Sequence, residues 1–462
     1  MNLELRNIGL IEQGELELNG ITLIAAENDA GKSTIGKALF SLLFSTNNFK
    51  KRFLKDLKKR VRDNFLLYSY LSLSKNGFKD KNYKKLKKIE EDFIKITEKN
   101  LSNNCIVLEE FETIFSEMTI IIKELEEKCK EEIDVYKSLF TKNKRLEIKD
   151  LKEILNYDEI VKTVFQDSFE EEFETGISNI FSGFKDSYIK FKDDKEEIIE
   201  VNFNDSKIKN YKFKADVIGK YNVIYIESPI LLDYLDEINK SENSEKISTP
   251  PAKVEVLKEA IKVEKKLDMI DKMLEGNKNY NEILKNIKSE VSGDLEYDKN
   301  VDKIIFKRFG KDISIKNIAT GIKSFGILEI LLKNNRLDSN TILVIDEPEV
   351  HLHPKWQIKY AEFLILISKK LGVRMLLNSH SPYFIRALDV YGEEYKFQDF
   401  IKFYTLLQDK KRISTKVVEL NKDLSSIFKL LMEPYETFEK ILAKSDKDDW
   451  YWLHKGILKN QI

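Results

Sequence analysis

From Thr341 to Gln357 the chain reads Thr-Ile-Leu-Val-Ile-Asp-Glu-Pro-Glu-Val-His-Leu-His-Pro-Lys-Trp-Gln. Thr341 to Ile345 are apolar or β-branched and run directly into Asp346 and Glu347. An uninterrupted run of this kind predicts a strand buried on both faces, the habit of parallel sheets covered by helices. Open α/β sheets place ligands at the carboxyl ends of such strands. Two adjacent carboxylates there suit a division of labour: one holds Mg2+, the other orients an attacking water. The plainer reading is a buried strand that merely ends in two acids, and the rest of the chain decides between them.

A second segment supplies the context. Residues 2–9 and 14–18 alternate apolar and polar and predict two strands of a meander. After Gly20, residues Ile21 to Ala26 predict a third, more buried strand. It leads into Ala26, Glu27, Asn28, Asp29, Ala30, Gly31, Lys32, Ser33 and Thr34. The spacing is that of a phosphate loop, G-x-x-x-x-G-K-[ST], with alanine in the first glycine position. Successive N–H groups of such a loop, and of the helix it opens, wrap phosphates. Gly31 permits close backbone approach, Lys32 sets a cation on the β and γ phosphates, and Ser33 offers a hydroxyl to Mg2+. Apolar residues recur at helical spacing from Ser33 to Phe44, as the motif requires. The methyl of Ala26 is either accommodated or weakens nucleotide binding, since the first glycine often has a conformation that alanine tolerates poorly.

Lys32 and Asp346 lie about 300 residues apart, far more than a bare βαβ crossover needs. A sizeable insertion is therefore expected. Residues 50–62 are strongly basic and 75–88 continue that character; 90–132 are largely acidic with apolar residues at helical spacing; 150–181 read as a further helical stretch. No clean heptad persists, which argues against a long coiled coil. The basic segment either grips a nucleic-acid backbone or forms a solvated face balanced by the acidic helices, the ordinary role of charge runs. Residues 186–203 and 208–215 predict a small β element, and Tyr221 to Pro229 a buried strand returning to the core and ending in Glu227. Lys240 to Pro251 reads as a loop, followed by a charged helix over 252–275.

The closing half carries more signals. Residues 303–315 predict two strands around a turn at Gly310. A small-residue turn at Ala319, Thr320 and Gly321 then opens an apolar helix, whose first N–H groups and dipole suit an anion, including one held by a second subunit. A plain helix start is the alternative. Beyond Asp346 come an amphipathic helix over 354–370 and another buried strand, Arg374 to Ser379, ending at His380. That histidine falls at the ligand end of the sheet, where a neutral imidazole can sense a γ-phosphate. His351 and His353 resemble a metal pair, but no third ligand with suitable spacing accompanies them.

Composition bounds the setting. Net charge is −1 although 34% of residues are charged, so the chain is not a globally basic nucleic-acid binder. Cys105 and Cys129 have no metal spacing and suggest no disulfide framework. The N-terminus is unlike a signal peptide and no apolar run is long enough to span a bilayer, so a cytoplasmic protein without membrane contact is expected.

Taken in order, these elements match one family. Ala26–Thr34 resembles Walker A, Ala319–Lys323 a degenerate ABC signature, Ile342–Glu347 Walker B, and His380 the switch histidine. With Asp-Glu-Pro-Glu-Val-His-Leu-His-Pro and Asn-Ser-His-Ser-Pro-Tyr, the chain resembles ABC-type ATPases of the OLD, RecF and SMC-like group. It is most similar to small ATPase subunits of anti-phage defence systems, of the Septu PtuA or PARIS AriA type. The resemblance implies an α/β P-loop NTPase of ABC type with a mixed sheet and a helical insertion subdomain. Its expected divisions are 1–45 and 216–390 for the ATPase core, 46–215 for the insertion and 391–462 for a C-terminal β-α extension and tail. It also implies a head-to-tail homodimer or larger oligomer with ATP and Mg2+ between subunits. Lys32 and Ser33 would bind the nucleotide and metal, with Asp346 assisting the metal. Glu347 would polarise water and His380 would contact the γ-phosphate. Ala319, Thr320, Gly321 and Lys323 of the second subunit would complete the site.

Two departures bear on rate. Ile322 replaces the second glycine of the signature, and no glutamine occurs between Lys32 and Phe165, so Glu227 is a candidate substitute for the Q-loop glutamine. Slow hydrolysis is the expectation. No Glu plus Asp-x-Asp set ends a strand after His380, and Asp446, Asp448 and Asp449 lie in a polar tail, so no nuclease activity is expected in this chain. Trp450 and Trp452 in that tail either dock a partner or fold back. The implied role is control of a separate effector, a nuclease, in phage defence. The alternatives are a DNA-clamping RecF/SMC-like repair ATPase and a nucleotide-sensing scaffold with little hydrolysis.

Overall fold

The computed structural model describes residues 1–47, 49, 52, 81–102, 157–174, 176–179, 186–193, 196–214, 217–235, 251–262, 278–298, 303–409, 411, 414–420 and 423–442. Most of the basic segment 50–62, both cysteines, most of the loop 240–251 and the tail with Trp450 and Trp452 lie outside these. The strands in chain order are β1 (Asn2–Ile8), β2 (Ile11–Glu17), β3 (Ile21–Ala25), β4 (Ser187–Asp193), β5 (Glu196–Asn204), β6 (Lys207–Phe213), β7 (Asn222–Ile226), β8 (Asp294–Asp298), β9 (Lys303–Arg308), β10 (Lys311–Ser314), β11 (Thr341–Asp346), β12 (Arg374–Ser379), β13 (Ile401–Gln408) and β14 (Thr415–Glu419). The helices are α1 (Lys32–Asn47), α2 (Lys81–Ser102), α3 (Tyr157–Phe173), α4 (Ala252–Ile261), α5 (Lys278–Val291), α6 (Thr320–Lys333), α7 (Pro354–Leu371), α8 (Pro382–Glu394) and α9 (Ser425–Leu442).

Two compact units divide the chain: residues 1–41, 170–212 and 221–462 form one, and 42–169 with 213–220 the other. In the first, an eleven-stranded mixed sheet runs β6-β5-β4-β1-β2-β14-β13-β3-β12-β11-β7. Strands β13, β3, β12 and β11 and the edge strand β7 run parallel to one another. Every residue of β3 is buried, as are all but the end residues of β11 and β12, because helices cover both faces. The outer strands β1 and β2 pair antiparallel, and in β1 Leu3 and Leu5 are buried while Asn2, Glu4 and Arg6 are not. A separate antiparallel sheet, β10-β9-β8, precedes α6.

Two expectations about organisation are corrected. The β element placed in the 46–215 insertion is not a separate one: β4 pairs with β1 along its length, so the chain rejoins the main sheet well before 216. Nor is residue 391 the start of a part outside the core, since β13 pairs with β3 and sits inside the sheet. In both cases strand partners are set by register over long sequence separations, which local periodicity does not encode. In the second unit, Phe213 packs against Phe49 and Phe165 with ring centroids 6.4 and 6.1 Å away. Arg52, within the basic segment, lies 4.3 Å over the Phe44 ring and donates to Ser168 Oγ at 2.7 Å.

Helix α7 is bounded by its own chemistry. His353 caps its start by accepting from the Lys355 N–H, Pro354 opens its first turn, and Gly372 closes it at φ 73°. Phe325 of α6 meets Trp356, Tyr360 and Phe363 of α7 edge-on, with centroids 5.6, 5.2 and 5.8 Å apart. Such pairs contribute roughly 0.5–1.5 kcal/mol each beyond burial alone. Glu329 of α6 is buried; it accepts from the Leu295 N–H at 3.2 Å and pairs with Lys333 at 2.8 Å. Burial, then the hydrogen bond to Asp294, push its carboxyl up to about 7. For Asp294 burial acts upward, but the Glu329 bond and the ammonium groups of Lys288 and Lys333 hold it well below the usual carboxylate range.

An acid whose folded pKa is raised favours the folded state below its unfolded value and loses that contribution as pH climbs through the folded one. Glu329→Gln should therefore gain stability relative to wild type, on the order of 1–2 kcal/mol, between about pH 5 and pH 8. Denaturant midpoints across that range test this; a constant difference between the two proteins would refute it.

Candidate active site

The parallel strands end in register. Ala25 of β3 lies opposite Ser379 of β12, Asn378 of β12 opposite Asp346 of β11, and Ile345 opposite Ile226 of β7. The phosphate loop, the acidic pair, His380 and Glu227 therefore leave the sheet at one end. Within the loop, Asp29 (φ 61°) and Gly31 (φ 92°) have left-handed backbone and Ala26 does not. The conformation that would exclude alanine is thus not required at Ala26, which is fully buried. At Gly31 a Cβ would stand 3.2 Å from Ile11 Cδ1 in addition to the positive φ, so that position needs glycine. Lys32 donates from Nζ to the carbonyls of Ala26 (2.8 Å) and Glu27 (2.7 Å), closing the loop on itself. Burial lowers its ammonium below the ordinary value, against the pull of Glu347, Glu349, Asp346 and Glu27. Ser33 is exposed near the start of α1.

Asp346 is held at both oxygens. Tyr225 of β7 donates its hydroxyl to Oδ2 at 2.6 Å, and Asn378 donates from Nδ2 to Oδ1. Burial first, and then Asp346, push the Tyr225 phenol well above its ordinary value, so it stays a neutral donor. Glu347 adopts φ 47°, unusual for a non-glycine residue, and its N–H donates to the Asn378 carbonyl at 2.8 Å. His380 Nδ1 stands 3.6 Å from Glu347 Oε1 and 3.4 Å from Glu349 Oε1.

Glu349 is a residue that sequence reasoning passed over. It is 4% exposed, and its Oε1 accepts the N–H groups of His380 (2.8 Å) and Ser381 (3.1 Å). It thereby ties the turn after β11 to the start of α8, whose N-cap is Ser381. The only local signal was a third acid two positions after Glu347. Tyr225 and Asn378 were also passed over, since each reads simply as part of a buried strand.

Glu227 is exposed and lies 3.7 Å from Lys253 Nζ. Lys253 and Glu172, 5% and 6% exposed, form a buried pair at 2.7 Å. In the α6 segment, Ala319 is the exposed N-cap and Thr320 is half-buried. Gly321 is buried where a Cβ would meet Trp356 Cζ3 at 3.0 Å and Leu352 Cδ2 at 3.1 Å. Lys323 is 3% exposed and binds both oxygens of Asp233 at 2.7 Å, so its ammonium has a partner within its own chain. His353 serves as a helix cap, while His351 is exposed.

Among the described residues no three His, Cys, Asp or Glu side chains converge as a metal site. Mg2+ takes hard oxygen donors and is commonly bound by one or two protein groups plus substrate phosphates and water. The Asp346 carboxylate and the Ser33 hydroxyl fit that donor chemistry. Four carboxylates, Glu347, Glu349, Asp346 and Glu27, act on the single ammonium of Lys32, an excess of negative charge that favours a cation.

A phosphate loop leaving one buried parallel strand, with an acid-tipped strand two places away in register, defines a P-loop ATPase. The chain belongs to the AAA ATPase domain family, which matches residues 1–385. It is similar to the retron Vc95 probable ATPase of Vibrio cholerae serotype O1 biovar El Tor, at 27% identity over 209 residues. That alignment covers 39% of this chain and 36% of the relative, so the chain spans about a third of that relative's length. Similar solved structures include the SMC head domain from Thermotoga maritima, at 9% identity and TM-score 0.37, covering 91% of this chain and 98% of that one. The Smc head domain with an extended coiled coil from Pyrococcus furiosus matches at 12% identity and TM-score 0.37, covering 94% and 98%. Among the described residues no helix is long and apolar enough to cross a membrane.

Glu349→Ala should leave the His380 N–H without its acceptor and the Ser381 N–H with Ser379 Oγ in place of the carboxylate. We expect a loss of about 2 kcal/mol in unfolding free energy and about a tenfold fall in ATP turnover, with Glu349→Gln intermediate in both. Equal stability of Glu349→Ala and wild type in denaturant would disprove the role.

Proposed function

We propose that this chain is the ATP-binding and ATP-hydrolysing subunit of a bacterial anti-phage defence complex, and that ATP-dependent oligomerisation controls a separate effector, a nuclease. The observation that carries the ATPase part is the meeting of Lys32, Asp346, Glu347 and His380 at one end of the parallel strands. The setting is supported by the resemblance of residues 346–354 to defence ATPases and by the similarity to a retron ATPase.

In this reading the N–H groups of Ala26–Thr34 cradle the phosphates and Lys32 neutralises the β and γ oxygens. Ser33 and Asp346 would hold Mg2+, which when bound would supply positive charge to offset that of the phosphates. Glu347 orients the attacking water and His380 contacts the γ-phosphate. Ala319, Thr320 and Gly321 of a second copy offer the N-terminal end of α6 to the same nucleotide. Turnover is slow, because the signature lacks its second glycine and the Q-loop position holds no glutamine.

Glu347→Gln should bind ATP, hydrolyse it at least about a hundredfold more slowly than wild type, and accumulate as an ATP-bound oligomer on size-exclusion chromatography. Turnover at the wild-type rate would show that Glu347 does not orient the water. Strong stimulation of wild-type hydrolysis by duplex DNA would instead assign the chain to the DNA-clamping class.

A further inference from the structure

Tyr225 is fully buried on β7, next to Val344 of β11. It is confined on several sides. The Phe40 ring of α1 meets it edge-on at 5.8 Å. The Lys253 ammonium stands 4.1 Å over its ring and is itself fixed by the buried Glu172. At Gly36 of α1, a Cβ would come within 3.0 Å of the Tyr225 hydroxyl, 3.1 Å of Val344 Cγ1 and 3.2 Å of Tyr225 Cε2. Glycine at that helical position costs stability relative to alanine, roughly 0.5–1 kcal/mol, so the helix bears a penalty where the phenol needs room. The hydroxyl uses that room to donate to Asp346 Oδ2 at 2.6 Å.

With Tyr225 on one oxygen and Asn378 on the other, the Asp346 carboxylate is fixed in rotation, and its remaining lone pairs are available for a ligand. Donors behind a metal-binding carboxylate orient it and hold it ready. We propose that Tyr225 is a positioning residue that sets the Mg2+ affinity of the site through Asp346, and that Gly36 and Lys253 are arranged to keep its hydroxyl in place. This rests on the assignment of Asp346 to Mg2+. Nothing in the β7 sequence marks Tyr225 for such a role; only the pairing of β7 with β11 brings it to the acid.

The test is an equilibrium titration of a fluorescent ATP analogue into the full chain at stepped Mg2+ concentrations, and in EDTA. Tyr225→Phe removes one oxygen from a ring held by its packing. It should raise the Mg2+ concentration for half-maximal tightening about tenfold, while affinity in EDTA stays within about twofold of wild type. Gly36→Ala, which crowds the hydroxyl and Val344 Cγ1 without touching Asp346, should shift the Mg2+ dependence in the same direction, with affinity in EDTA again unchanged, and serves as the second variant if Tyr225→Phe does not fold. Asp346→Asn separates the two layers. If it shifts the Mg2+ dependence and the other variants do not, Tyr225 has no positioning role. If Asp346→Asn itself shifts nothing, the metal assignment falls and the proposal with it. An equal loss of affinity in EDTA and in Mg2+ for Tyr225→Phe would mark a merely structural tyrosine and overturn the proposal.

Discussion

The hydrogen-bonded register of β3, β12 and β11 is the constraint on which the site depends. Ala25 faces Ser379 and Asn378 faces Asp346. Neighbouring strands lie about 4.8 Å apart, so this register brings the phosphate loop, the acidic pair and His380 within reach of one small ligand. A slip of one residue would turn each strand's side chains to the opposite face. The burial of β3 and of the interiors of β11 and β12 makes such a slip costly, and so the site's geometry is enforced by the core beneath it.

Above that core the structure concentrates charge and then restrains it. Lys32 is turned back onto its own loop and feels four carboxylates, those of Glu347, Glu349, Asp346 and Glu27. Asp346 is held by Tyr225 and Asn378, and Glu349 by two backbone N–H groups. Among Asp346, Glu347 and Glu349, only Glu347 adopts a left-handed backbone, a conformation kept only where the surroundings enforce it. Its side chain is also the one with substantial exposure, 43% against 4% for Glu349. That contrast fits a group that meets solvent and substrate beside a group that holds the frame.

Helix α6 shows how packing selects among residues that look alike in sequence. Ala319, Thr320, Gly321 and Lys323 form one short stretch, yet they have separate fates. Ala319 is exposed at the helix start, Gly321 is pressed against Trp356 and Leu352, and Lys323 is consumed by Asp233. The edge-on contacts of Phe325 with α7 fix the helix rotation that produces this division. The spacing of small residues gave no means to tell an open position from a packed one, because that depends on α7 for Gly321 and on Asp233, far earlier in the chain, for Lys323.

Local chemistry alone determined the phosphate loop, the acid-tipped strand and the strand before His380. Each is written in consecutive residues whose apolar runs, glycine and charges act over short range, so the P-loop class and its principal side chains were legible before any folding. Tertiary structure decided the rest. The joining of β4 to β1 and of β13 to β3 depends on strand partners far apart in sequence. So do the contact of Tyr225 with Asp346, the capture of the His380 and Ser381 N–H groups by Glu349, and the withdrawal of Lys323 onto Asp233. These interactions form only once the sheet register is set, and a short window of sequence contains neither the partner nor the distance.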